Sequence, residues 1–479
     1  MMNVRAVDRD QVFLLPPSLA EWLPEDHLAW FVLDVVAELD LSGFYGSLRP
    51  DGRGGASYDP QMMVGVLLYA YCVGERSSRR LERRLSEDVG FRVMAANQQP
   101  DHATLARFRR NHAEAIGELF GQVLGLCAAE GLIRSGVVAI DGTKIEANAS
   151  AWSNRTRRQI ADEILEEAEA VDAAEDEQFG ERRGDELPEE WTDRGGRRVR
   201  LREALRQLDA EGAADWESYV AERQAREAEL GRKLGGRKPK RGSSDKGKTR
   251  QVNTTDPDSR MLRARNRFVQ GYNAQAAVTE DHIVVAAEVC NAANDSTQFQ
   301  AMVAASYRNL ADVDAEPVDA IVADAGYWNP DNVTLEIGAD VLIAPMPATS
   351  GITDPTDPRI AQRKGVVERL DRGEVSVFKA AKEMGVSETW ARKLLRDHRS
   401  GRPDPAQLRN AMLERLATET GAAAYAKRKT TVEPVFGNLK ANLRFRRFSR
   451  RGLDAATSEW RFICTAHNLP KIHRHRLAT

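Results

Sequence analysis

Gly136-Val-Val-Ala-Ile-Asp-Gly-Thr-Lys-Ile145 is a short β-forming run, buried in type, whose first charge is Asp141. A second run of the same design, Val318-Asp-Ala-Ile-Val-Ala-Asp324, also ends in an aspartate. Between them, Phe268–Val278 and His282–Val289 are β-type runs joined by Thr279-Glu-Asp281, which predicts a hairpin. Asn294-Asp-Ser-Thr297 offers cap residues for a helix reaching about Leu310. A further helix is expected from Asn329 to Ile337, and a last short strand over Asp340–Ala344. The order β, β-hairpin, α, β, α, β predicts a mixed sheet with helices packed on it, an α+β or mixed α/β fold.

Upstream, residues 1–132 read as a helical domain. Leu28, Phe31, Val32 and Val35, then Met62, Val66, Leu67 and Tyr69, recur at helical spacing around the Gly-rich break Asp51-Gly-Arg-Gly-Gly55. Two basic segments stand out there. Ser77–Arg84 opens with cap residues, and Asp101–Arg110 places Arg107 and Arg109 beside Phe108. A solvated face and a phosphate-contacting face both suit them. The sheet-forming pieces are 133–150, 251–350 and 406–479. Residues 151–250 are charged, with helical propensity and little apolar stripe, which predicts long exposed helices or partial disorder. The segment 351–405 reads as an insertion. At its centre, Phe378–Leu395 has helix-turn-helix spacing: Ala381 in the first helix, Gly385 at the turn, Val386 and Leu394 inward, and Ser387 capping a second helix that presents Arg392 and Lys393. A structural helical hairpin is the competing reading.

Composition narrows the class. With 479 residues, about three domains are expected. The net charge of −3 hides acidic runs at 166–190 and basic runs at 231–250 and 444–451, so a polyanionic partner stays compatible with the near-neutral total. Cys72, Cys127, Cys290 and Cys464 form no C-x-x-C pair, which removes local support for zinc ribbons or dithiol chemistry and suits buried thiols in a reduced compartment. The apolar run Met62–Val73 is shorter than a membrane span, and the first residues lack a secretory pattern. A cytoplasmic, nucleoid-associated protein is expected.

A lone strand-end aspartate is ordinarily a turn or cap residue; a third element changes the reading. In Thr430-Thr-Val-Glu-Pro-Val-Phe-Gly-Asn-Leu-Lys440, Glu433 and Lys440 are two helical turns apart and so share a face at a helix start. Arg444, Arg446, Arg447, Arg450 and Arg451 follow, interleaved with Phe445 and Phe448, a pattern that can hold a nucleic-acid backbone and stack on bases. A solvated basic helix end is the alternative. His102, His282 and His467 stand apart from one another and read as structural.

Asp141-Gly-Thr-Lys-Ile-Glu-Ala-Asn148, Gln270-Gly-Tyr-Asn-Ala-Gln275, Asp324-Ala-Gly-Tyr-Trp328 and Val432–Lys440 together resemble the insertion-sequence DDE transposases. Leu14–Leu19 and Pro100–Arg109 look like that family's N-terminal domain, and the likeness spans the chain apart from 155–250 and 350–405. The resemblance implies a ribonuclease-H-like catalytic domain with Asp141, Asp324 and Glu433 as catalytic, metal-binding carboxylates. It implies two Mg²⁺ ions, with Mn²⁺ able to substitute, in an in-line displacement: water frees a 3′-OH at the element end, and that 3′-OH attacks target DNA. The implied partners are double-stranded DNA, as terminal inverted repeats and target, and a second copy of the chain. Related transposases often carry Y-x-x-R-x-x-x-E-x-x-x-x-x-x-K. Lys440 fits, Lys429 takes the arginine position, and Tyr425 and Arg428 each come one residue early. Phosphate contact is therefore shared among Lys440, Lys429 and Arg428, with Arg444, Arg447, Arg392, Lys393, Arg107 and Arg109 as further DNA-facing cations. The rival readings are a domesticated DNA-binding protein without strand transfer and a metal-dependent nuclease of the same fold.

Overall fold

The computed structural model describes residues 18–46, 57–134, 136–164, 197–229, 250–264, 267–345, 358–399 and 405–479, with a few single positions besides. The Gly-rich break at 51–55 and most of the basic run 231–250 lie outside the described residues.

The sheet grows from β1 (Val137–Glu146), whose Val137–Ile140 segment is buried on both faces, as a central strand requires. β5 (Arg267–Thr279) runs antiparallel along one side of it, from Val138 opposite Thr279 to Glu146 opposite Gly271. The outer edge of β5 is shared by β4 (Arg260–Ala264) and β6 (Val284–Cys290), both antiparallel. On the other side of β1, β7 (Ala320–Ala323) and then β8 (Asp340–Ile343) are parallel to it. The hairpin and both later strands therefore stand where the sequence places them. The Asn329–Ile337 helix is shorter than expected, forming only over Pro330–Val333. A two-stranded ladder, β2 (Asn154–Thr156) with β3 (Gln251–Asn253), lies apart from this sheet.

Helices cover the sheet and join it to the N-terminal region. Those of Leu28–Glu38, Pro60–Cys72 and Ala113–Ala129 share one continuous core with β1 and β5–β8. The connector is the C-terminal helix Leu453–Ala478, apolar on more than one face: Trp460, Phe462, Ile463 and Leu469 are all buried. It lies between β6 and the helices Pro60–Cys72 and Ala113–Ala129.

Two smaller cores stand apart. In the charged stretch, helix Arg197–Glu229 sets Leu201, Ala204 and Leu208 at helical spacing against Ile160 and Val252, so part of that segment has an apolar stripe after all. In the insertion, helices Pro358–Asp371, Val377–Met384 and Glu388–Arg399 pack around Val366, Leu370, Ala381 and Leu394. Gly385 takes the left-handed conformation (φ 64°) that ends the first helix of the pair, and Ser387 Oγ accepts from Trp390 N to start the second. No helix among the described residues is long and apolar enough to cross a membrane.

Candidate active site

The parallel register of β1 and β7 ends with Ile140 beside Ala323. Asp141 and Asp324, each the next residue, therefore emerge side by side from the same end of adjacent strands. Asp324 caps the short turn Ala325–Tyr327, its Oδ1 accepting from Gly326 N at 2.8 Å. Asp141 Oδ1 accepts from Gly142 N at 2.7 Å. Burial and then the charge of Asp324 push the Asp141 carboxyl up to about 6, against the opposing hydrogen bond from Gly142 and the charge of Arg428. The result is a mostly buried pair of like charges.

One flank of the pair is helix Glu419–Gly437, started by Thr418 Oγ1 accepting from Gly421 N. Its Val432 and Val435 sink into the core, and Arg428 reaches Asp141 with Nη1 at 3.7 Å from Oδ2. Glu433 is exposed, and at 100° per residue it sits roughly 140° around the helix from Arg428. The helix starts well upstream of Thr430, so Glu433 lies near its end rather than at a helix start. Pro434 has no N–H for the Thr430 carbonyl; His282 Nε2 makes that bond instead, at 2.9 Å. The carbonyl of His282 in turn accepts from Nε2 of His467, whose Nδ1 accepts from Asn438 at 2.9 Å. His467 is buried and neutral, its pKa pushed down to about 4 chiefly by that burial. Both histidines are structural, as the sequence suggests. Beyond Gly437 the chain widens into a π-turn, Asn438–Asn442, from which Lys440 Nζ donates to Thr143 Oγ1, two residues past Asp141.

The arginine-rich stretch after it is not a helix end. Phe445 and Phe448 are buried against Trp460 and Tyr272, so they anchor the segment instead of stacking on bases. Arg76, from the N-terminal helices, donates to the carbonyls of Arg447 (3.0 Å) and Arg444 (2.7 Å) and lies over the Phe445 ring. The buried Glu459 accepts from the amides of Ser449 and Arg450. With its backbone held from both sides, the loop leaves Arg444, Arg446 and Arg447 exposed. Arg447 also bonds the Ala147 carbonyl, tying the loop to the end of β1.

The remaining cations are scattered. Lys429 and Arg107 are exposed. Arg109 is half-buried and donates to the Arg76 carbonyl and to Ser78 Oγ. Arg392 pairs with Glu388, and Lys393 lies over Trp390 and beside Asp397, all within the three-helix insertion.

Two family models match this chain. Residues 17–111, covering most of the N-terminal helices, match the Transposase domain (DUF772), and residues 392–473 match the Transposase DDE domain. Together the two matches indicate an insertion-sequence DDE transposase. The DDE match includes Glu433, Lys440 and the arginine-rich loop, while Asp141 and Asp324 lie upstream of it. Neither the curated proteins nor the solved structures returned a match. This transposase is therefore an enzyme acting on DNA, and DDE domains generally use divalent metal ions. Among the described residues, no three His, Cys, Asp or Glu side chains converge closely enough to enclose a metal ion.

Beneath the aspartates of the transposase lies a polar network absent from the sequence reading. Asp295 Oδ1 accepts from Lys144 Nζ (3.0 Å), Asn273 Nδ2 (2.6 Å) and Gln275 Nε2 (2.9 Å). The buried Tyr327 hydroxyl donates to Gln275 Oε1. The available signal was the polar pair Asn273 and Gln275, two apart and so on one face of an otherwise apolar strand. Asp295 was concealed in Asn294–Thr297, which reads as a helix cap. The helix begins at Phe299, and its N-cap, Gln298, makes no side-chain capping bond.

Proposed function

We propose that this transposase cuts DNA at the ends of its element and joins the freed 3′-OH to target DNA at a single carboxylate centre built on Asp141 and Asp324, with Glu433 as the third acid. The observation that carries the reading is the side-by-side exit of the two aspartates from adjacent parallel strands. The strand sequence supports a ribonuclease-H-like domain: three antiparallel strands (β1, β5, β6), then two (β7, β8) parallel to the first.

The donor set fits a hard divalent cation. Two carboxylates that repel one another in a mostly buried setting are relieved by Mg²⁺ or Mn²⁺, which keeps waters and takes phosphate oxygens to complete its shell. Bound there, two such ions supply the charge neutralisation that in-line phosphodiester displacement needs. The protein's own part is positioning. Arg428 holds Asp141 from the helix side, and Lys440, anchored near Thr143, places a cation within the reach of β1 for a DNA phosphate. Arg444 and Arg447, exposed on a backbone that cannot drift, extend that cationic track, with Lys429 and Arg107 as outlying phosphate contacts and Arg392 and Lys393 presented by the insertion. Arg109 supports the same surface indirectly by bracing Arg76.

The test is incubation with Mg²⁺ and DNA bearing the element's terminal inverted repeats, reading both cut and joined products. Joined product supports strand transfer; cutting without joining would reduce the protein to a nuclease, and binding alone to a DNA-recognition factor. Two ends call for two copies of the chain. Sedimentation of the end complex as a strict monomer would sink the dimer part of the proposal.

A further inference from the structure

We infer that Asp295 is a positioning residue for the two catalytic aspartates, the hub through which β1, β5 and the turn after β7 are held at one fixed spacing. The inference rests on the carboxylate-centre reading above and concerns a residue outside its three acids.

The argument begins with connectivity. Lys144 belongs to β1, three residues after Asp141, and its ammonium lies between both carboxylate oxygens of Asp295, at 3.0 and 3.3 Å. Asn273 and Gln275 belong to β5, the latter directly opposite Gly142 in the ladder. Gln275 passes the connection on, its Oε1 accepting from Tyr327 at the end of the turn that Asp324 caps. One carboxylate thus reaches the strand bearing Asp141 through Lys144 and the turn bearing Asp324 through Gln275. β5 itself is pinned at the same residue, because Trp460 Nε1 donates to the Gln275 carbonyl at 2.8 Å.

Packing makes the connection stiff. A methyl group on Gly142 would collide with Gln275 Nε2 and meet Asp295 Oδ1 at 2.8 Å, so the backbone next to Asp141 rests directly on the network. The glycine after the aspartate is therefore a close-approach residue, with no unusual φ required of it. Asp295 and Lys144 are 25% and 14% exposed at their side chains, dry enough for the pair to hold a geometry that a surface ion pair would not. The alternative, that Asp295 only caps the following helix, has no support from the hydrogen bonds, since Gln298 holds that position. Partners that orient metal-binding groups typically change metal affinity by about 10–100-fold when removed.

The experiment measures Mn²⁺ binding to the full chain by the loss of its free-ion electron paramagnetic resonance signal, beside binding of end DNA in the absence of metal. Asp295→Ala is expected to weaken Mn²⁺ binding by about 10–100-fold while leaving DNA binding unchanged. Asp295→Asn, which retains an acceptor for Asn273 and Gln275 but not the charge for Lys144, should fall between it and the wild type. If Asp295→Ala does not fold, Tyr327→Phe decides: it removes one hydroxyl from a retained ring and should still weaken Mn²⁺ binding several-fold. Wild-type affinity in a folded Asp295→Ala, or in Tyr327→Phe, overturns the inference and leaves the carboxylate centre standing. A wild-type protein that binds no Mn²⁺ overturns the centre and the inference with it.

Discussion

Asp141 sits where burial and the charge of Asp324 both disfavour its ionised form, and the resulting stability cost can be measured. In an unfolded chain an aspartate ionises near about 3.9, whereas here burial and Asp324 raise the group to about 6. Between those values the folded state holds the extra proton, so stability is greatest below the unfolded value and falls as pH rises through the folded one. Asp141→Asn is therefore expected to abolish cutting yet raise the melting temperature of the metal-free protein at pH 7, by a free energy on the order of 1–3 kcal/mol. At pH 4 the gain should vanish. Thermal unfolding at the two pH values checks this; an asparagine variant less stable than wild type at pH 7 contradicts it. The same shift predicts that the metal-free protein binds a divalent ion more weakly as pH falls from 7 to 5, because the proton on Asp141 competes with the metal. At this scale the sequence was informative wherever a charge interrupts an apolar strand: Asp141 and Asp324 are conspicuous for that reason. Asp295 was not, because its partners on β1 and β5 are distant in sequence and its own neighbours look like a cap.

Helix Glu419–Gly437 shows how an element can be read correctly in part. The motif around Glu433 reveals a helix, but the strand it packs on decides which face turns inward. That face is the one with Arg428, Val432 and Val435. The proline inside the helix would leave Thr430 with an unpaired carbonyl, and His282 supplies the missing donor from the β5–β6 turn. His282→Ala is expected to cost about 0.5–1 kcal/mol in stability, the net worth of a hydrogen bond that water can partly replace, and to loosen the helix end that carries Glu433. Hydrogen exchange of the amides over 430–442 should rise in this variant while that of β1 stays unchanged; equal protection in both proteins would contradict the assignment. The aromatic residues after Lys440 carry a related lesson. An Arg/Phe alternation looks the same whether the rings stack on bases or anchor a loop, and only the buried contacts of Phe445 and Phe448 with Trp460 and Tyr272 separate the two.

Over the whole molecule, the N-terminal helices and the sheet are joined by the C-terminal helix into one core, and Arg76 carries the connection to the loop beside β1. Sequence periodicity suggests separate modules because apolar stripes are local signals, whereas the pairing of Tyr71 with Phe462 or of Gly117 with Ser458 joins distant parts of the chain. The three-helix insertion has a core of its own, of which the helix pair was legible, since its turn glycine, its serine cap and its inward residues lie within a few turns of one another, whereas the preceding helix Pro358–Asp371 was not read from the sequence. The order of β1, β5, β6, β7 and β8 was legible as well, while β4 and the β2–β3 ladder were not; nor was the network beneath the aspartates, because it needs three strands in register.

Cysteine substitution at each proposed carboxylate, assayed for cutting and joining of end DNA in Mg²⁺ and then in Mn²⁺, tests the central claim most directly. Thiolate is a poor ligand for Mg²⁺ and a tolerable one for the softer Mn²⁺. The account predicts that Asp141→Cys, Asp324→Cys and Glu433→Cys bind end DNA as wild type does, neither cut nor join in Mg²⁺, and recover part of both steps in Mn²⁺. Full activity of any of the three in Mg²⁺ would contradict its place at the centre.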